Sequence, residues 1–314
     1  MPFFSRKKIL PGWLAVGLDG DTAQFTYVRD GPHRPQVVYC ETRPIDPEDP
    51  KPLERAGKEF EAQRHRVTTL IPPSGYQILV LEAPNVKPDE LRPALRWRIK
   101  DLIDFHIDDA VIDVLDIPNA AGGPQRSQSL NAVVAKSAAV QALIARFEAA
   151  HLPLEVIDIP DAAQRNVASL FESAERGVVA VSFDSTGGLI TFTGGGELYL
   201  SRRIDLTHDQ LCHPDEAVRA GAFERALVEL QRSLDHFERQ VRHMTVKKVL
   251  LAPLRAPGDA LKAHLRQGLY VPVAELALDE ALDLPAASAL HDRADQTRWL
   301  KLIGAALRNE SKAL

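Results

Sequence analysis

Two acidic turns are the parts of this sequence whose residue types best suit chemistry. They are GLDGDT (17–22) and DSTGG (184–188). A turn that holds phosphate needs glycine, because backbone N–H groups must approach the oxygens closely, and it gains from hydroxyl side chains. An acid in such a turn contacts a magnesium ion or its waters. The candidate contacts to a phosphate group or its metal are therefore Asp19, Thr22, Asp184, Ser185, Thr186 and Gly187.

The same turns also have a purely structural interpretation. Asp and Gly are common in hairpin connections of every kind, so each turn taken alone favours a simple link between strands. Asp21 also argues against phosphate, because a second carboxylate repels bound phosphates unless a metal lies between them.

The elements around the turns give the stronger signal. An apolar strand precedes each turn, at 13–18 and at 178–183, and further strands follow at 22–29 and 188–193. One such unit opens each half of the chain. The repeat predicts a duplicated, two-lobed α/β architecture in which the two turns face each other across a cleft.

Composition restricts the class of protein. The 314 residues suit two lobes, and the net charge of −5, from 38 basic and 43 acidic residues, gives no general attraction to nucleic acid. Two distant cysteines, Cys40 and Cys212, indicate a reducing cytosol rather than a disulfide framework. No apolar run reaches a membrane-spanning length. The segment FFSRKK (3–8) is either a solvated tail or a peripheral contact with a membrane surface.

Periodicity places the remaining elements. Helices are expected at about 53–65, from Pro88 onward, and at about 138–150, 161–173, 215–242, 258–267 and 293–308; further strands are expected at 36–43, 67–71, 76–82, 111–117, 130–135, 154–158, 197–203, 248–252 and 270–274. The polar segment 119–128 is predicted to be a mobile loop. We assign a first lobe to 1–174, with an inserted subdomain at about 84–160, and a second lobe to 175–314.

Other chemical motifs are weaker. His208, Cys212 and His213 could together recruit a metal ion, but no carboxylate supports them, and an incidental cluster is the better interpretation. The sequence lacks a Walker A pattern, a glycine-rich dinucleotide fingerprint and the nucleophile motif GxSxG. Basic residues within 239–248 suit the end of a helix better than a nucleic-acid surface.

Several segments resemble, in order along nearly the whole chain, the PilM-type proteins of bacterial type IV pilus systems, most closely those of the mannose-sensitive hemagglutinin (MSHA) pilus. The segments are GWLAVGLDGDTAQFTYV (12–28), PDELRPALRWRIKDLIDFHIDDAVIDVLDI (88–117), LNAVVAKSAAVQALIARFEAAHLPLEVIDIP (130–160), GGGELYLSRRI (194–204), LVELQRSLDHFERQ (227–240) and WLKLIGAALR (299–308). The resemblance implies a duplicated actin-like ATPase (ribonuclease H-like) fold, with an α/β subdomain inserted in the first lobe.

The chain departs from the nucleotide-binding members of that family at three places. Asp21 stands where the first turn of those members carries the glycine of Asp-x-Gly. In the second turn, either Ser182 or Asp184 takes the position of the acid. Pro253 replaces a glycine that lies against the base, and proline removes a donor and fixes φ. These changes imply a degenerate nucleotide cleft without catalysis or an expected cofactor, and ATP with magnesium is the ligand the fold would otherwise take.

The resemblance also implies a role. The implied role is that of a cytoplasmic scaffold at the inner face of the inner membrane, which binds the cytoplasmic tail of a PilN-type protein. In the MSHA system this partner would be MshJ-like. The candidate groove walls are the helix face around Leu91, Leu95 and Trp97 and the strand 111–117, with core packing as the alternative. The competing assignments are a GspL-like component of type II secretion and an actin-like small-molecule kinase using Asp184 or Asp21 as its base.

Overall fold

The computed structural model describes residues 9–84, 86–118, 129–173, 176–241, 243–254, 258–285 and 289–309. The segment FFSRKK (3–8) and the expected mobile loop at 119–128 lie outside these ranges. Within them, no helix combines the length and the apolar character that crossing a membrane requires.

Strands and helices alternate along both halves of the chain. The strands are β1 (Trp13–Asp19), β2 (Thr22–Arg29), β3 (Gln36–Pro44), β4 (Arg66–Leu70), β5 (Tyr76–Glu82), β6 (Ala110–Asp116), β7 (Ser129–Lys136), β8 (Leu154–Asp158), β9 (Arg176–Asp184), β10 (Gly187–Gly194), β11 (Glu197–Ile204), β12 (Thr245–Leu251) and β13 (Val273–Glu275). The helices are α1 (Pro50–Glu59), α2 (Pro88–Ile99), α3 (Ser137–Ala149), α4 (Pro160–Ser169), α5 (His208–Leu211), α6 (Glu216–Gln240), α7 (Gly258–Gly268) and α8 (Arg293–Ala306).

The two large sheets are built alike. The first has the order β3-β2-β1-β4-β8 and the second the order β11-β10-β9-β12-β13. In each sheet the first three strands along the chain are antiparallel, and the last two run parallel to the central strand, β1 or β9. Helices α1 and α3 cover the first sheet through Leu53 and Phe147, and α6 and α7 cover the second through Leu230 and Leu265. The repeat of strand, turn and strand in the sequence is therefore a repeat of whole sheets.

Helices α4 and α8 join the two lobes. Each follows the last strand of one sheet and packs against the other sheet: α4 against β9, β10 and β11, and α8 against β1, β2 and β4. The two helices cross so closely that a Cβ atom on Gly304 would lie 2.0 Å from the carbonyl oxygen of Ala163. Their apolar residues form one core with both central strands, so the lobes share buried surface.

A third sheet, of order β5-β7-β6, carries α2 on one face. Its limits differ from the predicted insertion at about 84–160. Strand β5 belongs to it although it begins at Tyr76, whereas β8 pairs with β4 in the first large sheet. Phe147 of α3 lies in the core of the first lobe. Strand pairing, which the local sequence does not specify, sets these limits.

Most predicted elements are present, with a few shifted ends. The first helix ends at Glu59 rather than near 65, because the chain turns at Glu61, which has a left-handed φ of 50°, and a short 3-10 turn follows at Ala62–Arg64. The strand expected at 270–274 is reduced to Val273–Glu275.

Candidate functional site

The first acidic turn is a tight hairpin. Asp19 pairs directly with Thr22, which leaves a two-residue loop, and the Thr22 hydroxyl donates to the Asp19 carbonyl at 2.9 Å. Gly20 has a φ of +54°, as the first central residue of a type II′ turn requires. The carbonyl of Asp21 accepts a hydrogen bond from the Ile45 N–H at 2.7 Å. Both Asp19 and Asp21 are exposed, so two carboxylates stand at this turn.

The second acidic turn is also a two-residue hairpin, but its aspartate is already hydrogen-bonded within the chain. Asp184 Oδ1 accepts from the Thr186 N–H at 2.7 Å and from the Thr186 hydroxyl at 2.6 Å. Asp184 Oδ2 accepts from the Lys301 ammonium. Gly187 has a φ of +138°, and a Cβ atom there would lie 2.8 Å from the Ile204 carbonyl oxygen, so the backbone alone requires this glycine.

The charge state of Asp184 follows from these contacts. Burial raises its pKa, but the Lys301 charge and hydrogen bond and the two Thr186 donors outweigh burial, so the pKa lies below its ordinary value. Asp184 is therefore an ionised, paired carboxylate at neutral pH and a poor proton acceptor.

The two hairpins show which residue of the second lobe is equivalent to Asp19 in the first. Asp19 and Asp184 each end a central strand and close a two-residue loop, with Thr22 and Gly187 as their partners. Ser182 lies two residues earlier and is buried, with its hydroxyl 2.5 Å from Gln164 Oε1 in α4. Of the two alignments that the sequence allowed, the structure supports the one that matches the acids.

Helix α8 reaches both hairpin units with consecutive residues. Lys301 pairs with Asp184 of the second lobe, and Leu302 packs so closely on β1 that a Cβ atom on Gly17 would lie 2.9 Å from Leu302 Cδ1. Lys301 was not among the residues predicted from the sequence. The signal that could have revealed it is a single lysine inside the apolar run WLKLIGAA, whose flanking residues Leu300 and Leu302 are buried.

The segment after β12 is also tied to α8. Pro253 is buried, and its carbonyl accepts a hydrogen bond from the Thr297 hydroxyl. This is the segment that the family resemblance would place against a nucleotide base. Its backbone acceptor is used within the chain.

A second acid that the sequence did not single out begins α4. Asp161 is 1% exposed, and its two oxygens accept from the Ser201 and Tyr76 hydroxyls. Arg203 lies 3.3 Å from the same carboxylate and stacks on the Tyr76 ring, with its central carbon 4.9 Å from the ring centre. The network joins β5, α4 and β11. Burial, followed by the Asp161 charge, raises the pKa of Tyr76, so the phenol remains a donor.

The candidate groove residues separate into two groups. Leu95 is fully buried, and Leu91 packs against the same core between α2 and the three-stranded sheet, so these two are core residues. Trp97 on the same helix is 77% exposed, and Val111 on β6 is 43% exposed. Of these four apolar side chains, Trp97 and Val111 are the two available to a partner.

The weak metal cluster contains one close contact. Cys212 Sγ lies 3.5 Å from His208 Nε2, and His213 Nδ1 accepts the Asp215 N–H at 3.1 Å at the start of α6. In the described ranges, no group of three or more His, Cys, Asp or Glu side chains is placed to hold a metal ion.

The residues of the two hairpins fit a magnesium nucleotide poorly. The Lys301 ammonium already neutralises Asp184, which removes one of the two acids that would face a metal. At the other hairpin, Asp21 adds a second exposed carboxylate at the turn where the family resemblance would place phosphate oxygens. The arrangement therefore supports no reaction step through a bound nucleotide.

Comparison with known proteins identifies the fold. No protein-family model matches the sequence, and no curated protein matches it significantly. Among solved structures, the PilM–PilN type IV pilus biogenesis complex matches with a TM-score of 0.72 at 18% identity, over 94% of this chain and 98% of that chain. A Bacteroides thetaiotaomicron protein with an actin-like ATPase fold and unknown function matches with a TM-score of 0.50 at 10% identity, over 96% and 99% of the two chains. These matches and the two equivalent sheets confirm the predicted fold class: the chain has a duplicated actin-like fold, similar to that of PilM.

Proposed function

We propose that this protein is a non-catalytic scaffold of type IV pilus assembly that holds the cytoplasmic tail of a PilN-type inner-membrane protein. The observation that carries the proposal is the match to the PilM–PilN complex over nearly the full length of both chains. At 18% identity this match establishes the fold alone, so the role in pilus assembly is our inference.

The pairing of the acids supports a scaffold over an enzyme. A kinase of this fold needs a free base and room for a metal between the hairpins. Asp184 is paired with Lys301, and the buried Asp161 at the start of α4 is used by Tyr76, Ser201 and Arg203. These two acids act in structural contacts, which leaves Asp21, an exposed carboxylate on the first hairpin, as the remaining candidate base.

The inserted region supports a docking role. In this region, taken from β5 to β7, five large apolar side chains among the described residues are substantially exposed: Val80 at 51%, Val86 at 41%, Trp97 at 77%, Leu102 at 53% and Val111 at 43%. Exposed apolar side chains that concentrate in one part of a protein are typical of surfaces that bind other proteins. Aromatic anchors such as tryptophan contribute most of the binding energy in many interfaces.

The finer assignment rests on the sequence segments. We propose a protein of the MshI type in an MSHA-like pilus, with an MshJ-like partner, in the cytoplasm at the inner face of the inner membrane. Any membrane contact of its own would be peripheral. The segments that resemble this family, at 88–117, 194–204 and 227–240, follow the family's order along the chain and support this assignment.

The partner proposal is tested by titrating the chain into a fluorescent peptide. The probe is the cytoplasmic tail of a single-span membrane protein encoded beside this gene, and a scrambled peptide of the same composition is the control. We expect saturable binding of the native peptide only. Equal binding of both peptides, or of neither, would contradict the proposal.

The non-catalytic proposal is tested by calorimetry with Mg-ATP. We expect no binding at the acidic hairpins tighter than about 1 mM, or about 4 kcal/mol, because Asp184 is already paired with Lys301 and Asp21 repels phosphate. Micromolar binding that Asp19→Asn weakens would show that the hairpins still hold a nucleotide, and turnover with a small hydroxyl substrate would overturn the scaffold role.

A further inference from the structure

A polar cavity of about 520 Å³ lies where the two lobes meet, away from the acidic hairpins. It is bounded by the start of β1, the second half of α4, the β10–β11 turn and the residues at the end of α8. Trp13 lies in its wall, six residues before Asp19 on β1, which places the cavity about 20 Å along that strand from the first hairpin. Its volume falls in the usual range for small-molecule sites, about 300–1,000 Å³.

Three arginines from different elements line the cavity, and two are paired with neutral oxygens. Arg29 Nε and Nη2 donate to the Gln36 amide oxygen at 2.9 and 2.8 Å. Arg165 Nε and Nη2 donate to the Asn166 amide oxygen at 3.1 and 2.8 Å. An amide oxygen satisfies donors without neutralising a guanidinium charge, so Arg29 keeps most of its attraction for an anion. Arg165 keeps part of its attraction, because the half-exposed Glu197 lies 3.8 Å from its Nη1.

The third arginine has an unsatisfied donor. Arg308 Nη1 donates to Asp158 Oδ2 at 3.0 Å, and its guanidinium lies 5.2 Å from the centre of the Trp13 ring. Arg308 Nε is buried without a hydrogen-bond partner among the described residues. A buried donor of a charged group that lacks an acceptor costs about 1–3 kcal/mol, so an acceptor supplied from the cavity would be favoured.

Carboxylates near the cavity offset only part of the positive charge of the three arginines. Glu197 lies 3.8 Å from Arg165 Nη1, with 45% of its side chain exposed, and Asp30 is exposed at the cavity edge. Glu172 is turned to the backbone, where it accepts from the Gly196 N–H at 3.1 Å. Two carboxylates, Asp30 and Glu197, therefore line the wall with the three guanidiniums, and Asp158 pairs with Arg308 from outside the wall.

We propose that this cavity is a second ligand site, which binds a small soluble molecule through a phosphate or carboxylate group. Guanidinium groups offer paired donors that match such oxyanions. The wall combines Arg29 of the first lobe, the Gly195–Gly196 turn of the second, and both connecting helices. A bound oxyanion would brace the joint between the lobes. The site is independent of the acidic hairpins and of any peptide held by the inserted region.

The test is a calorimetric titration of the full chain with pyrophosphate and, separately, with citrate, both at constant ionic strength. We expect saturable binding of at least one probe, with a dissociation constant below about 1 mM. In the variants Arg29→Gln and Arg165→Gln, the dissociation constant should rise about tenfold or more, as the loss of one charge-assisted contact implies. Arg29 is exposed, so its replacement does not threaten folding.

Arg55→Gln is the matched control, because Arg55 is an exposed arginine on α1 outside the cavity wall. It should bind both probes as the parent does. Three results would each overturn the site: no saturable binding of either probe, equal weakening in the Arg55 variant, or unchanged binding in both cavity variants.

Discussion

Lys301 on the last helix donates a hydrogen bond to Asp184, the acid at which the second hairpin turns. The two residues are 117 positions apart in the chain, so the contact forms only when α8 packs against the second hairpin. Because Leu302 packs on β1 at Gly17, the same helical turn holds both lobes. In this protein the Lys301 ammonium lies beside Asp184, in the position that a bound cation would otherwise take.

Replacing this lysine should destabilise the protein. In Lys301→Met the side chain keeps its length, but Asp184 loses its partner while remaining half-buried, and we expect a loss of about 1–2 kcal/mol in the free energy of unfolding at pH 7. Urea denaturation measures the change. Lys58→Met, which removes an exposed pair with Glu54, should leave the stability nearly unchanged.

The effect of that replacement should depend on pH. Since the pKa of folded Asp184 lies below the value of about 3.9 in unfolded chains, the pair stabilises fully above that value and is lost as the pH falls through the folded pKa. The difference between the parent and Lys301→Met should therefore be largest near neutrality and shrink toward pH 3. A constant difference across this range would contradict the ionic pairing.

Two glycine replacements should have opposite effects. In Gly304→Ala the added methyl group would meet the Ala163 carbonyl oxygen at 2.0 Å, so α4 and α8 must separate, which costs about 3 kcal/mol. Gly221 in α6 has no atom within 4 Å of a Cβ position, so Gly221→Ala should stabilise by about 0.5–1 kcal/mol. Thermal or urea unfolding of both variants measures this. Similar destabilisation by the two would contradict the close helix crossing.

The Asp161 network should contribute strongly to stability. Asp161→Asn removes the charge that Arg203 and the two hydroxyl donors share in a buried site, and we expect a loss of about 2–3 kcal/mol. Asp113→Asn, at an exposed acid paired with Arg92, should change little. A double-mutant cycle with Tyr76→Phe should show coupling, since the two side chains are in contact. Additive effects would count against a shared network.

Trp97 should affect binding without affecting folding. Because its side chain is 77% exposed, Trp97→Ala should change the free energy of unfolding by no more than about 0.5 kcal/mol. If the inserted region holds the partner peptide, the same variant should weaken peptide binding about tenfold or more. Tyr270→Ala, at a 62% exposed aromatic of the second lobe, is the control and should bind normally. Normal binding by Trp97→Ala would exclude the tryptophan from the interface.

The strands and hairpins were predictable because their signals are local. The alternation along β1 and β2, the Gly20 turn and the recurrence of the same pattern at β9 and β10 all lie within a few residues. The order of the two sheets follows from repeating one unit. The same reasoning identified the buried face of α2 at Leu91 and Leu95, although it could not separate those positions from the exposed Trp97.

The limits of the third sheet could not be predicted in the same way. Only the short connection at 71–75 separates β4 from β5, yet β4 pairs with β1 and β5 with β7. Pairing depends on which distant strand offers a matching apolar face, and no short window of sequence contains that information.

The sequence by itself determined the duplicated architecture and the two acidic turns, because each depends on residue types at short spacing. The degenerate nucleotide cleft stays a prediction from the family resemblance. Only the tertiary structure decided what the acids do. Asp184 meets Lys301, and Asp161 meets Tyr76 across 85 positions of chain. A carboxylate's chemistry depends on the charges and donors within a few ångströms of it, and folding of the whole chain brings those neighbours together.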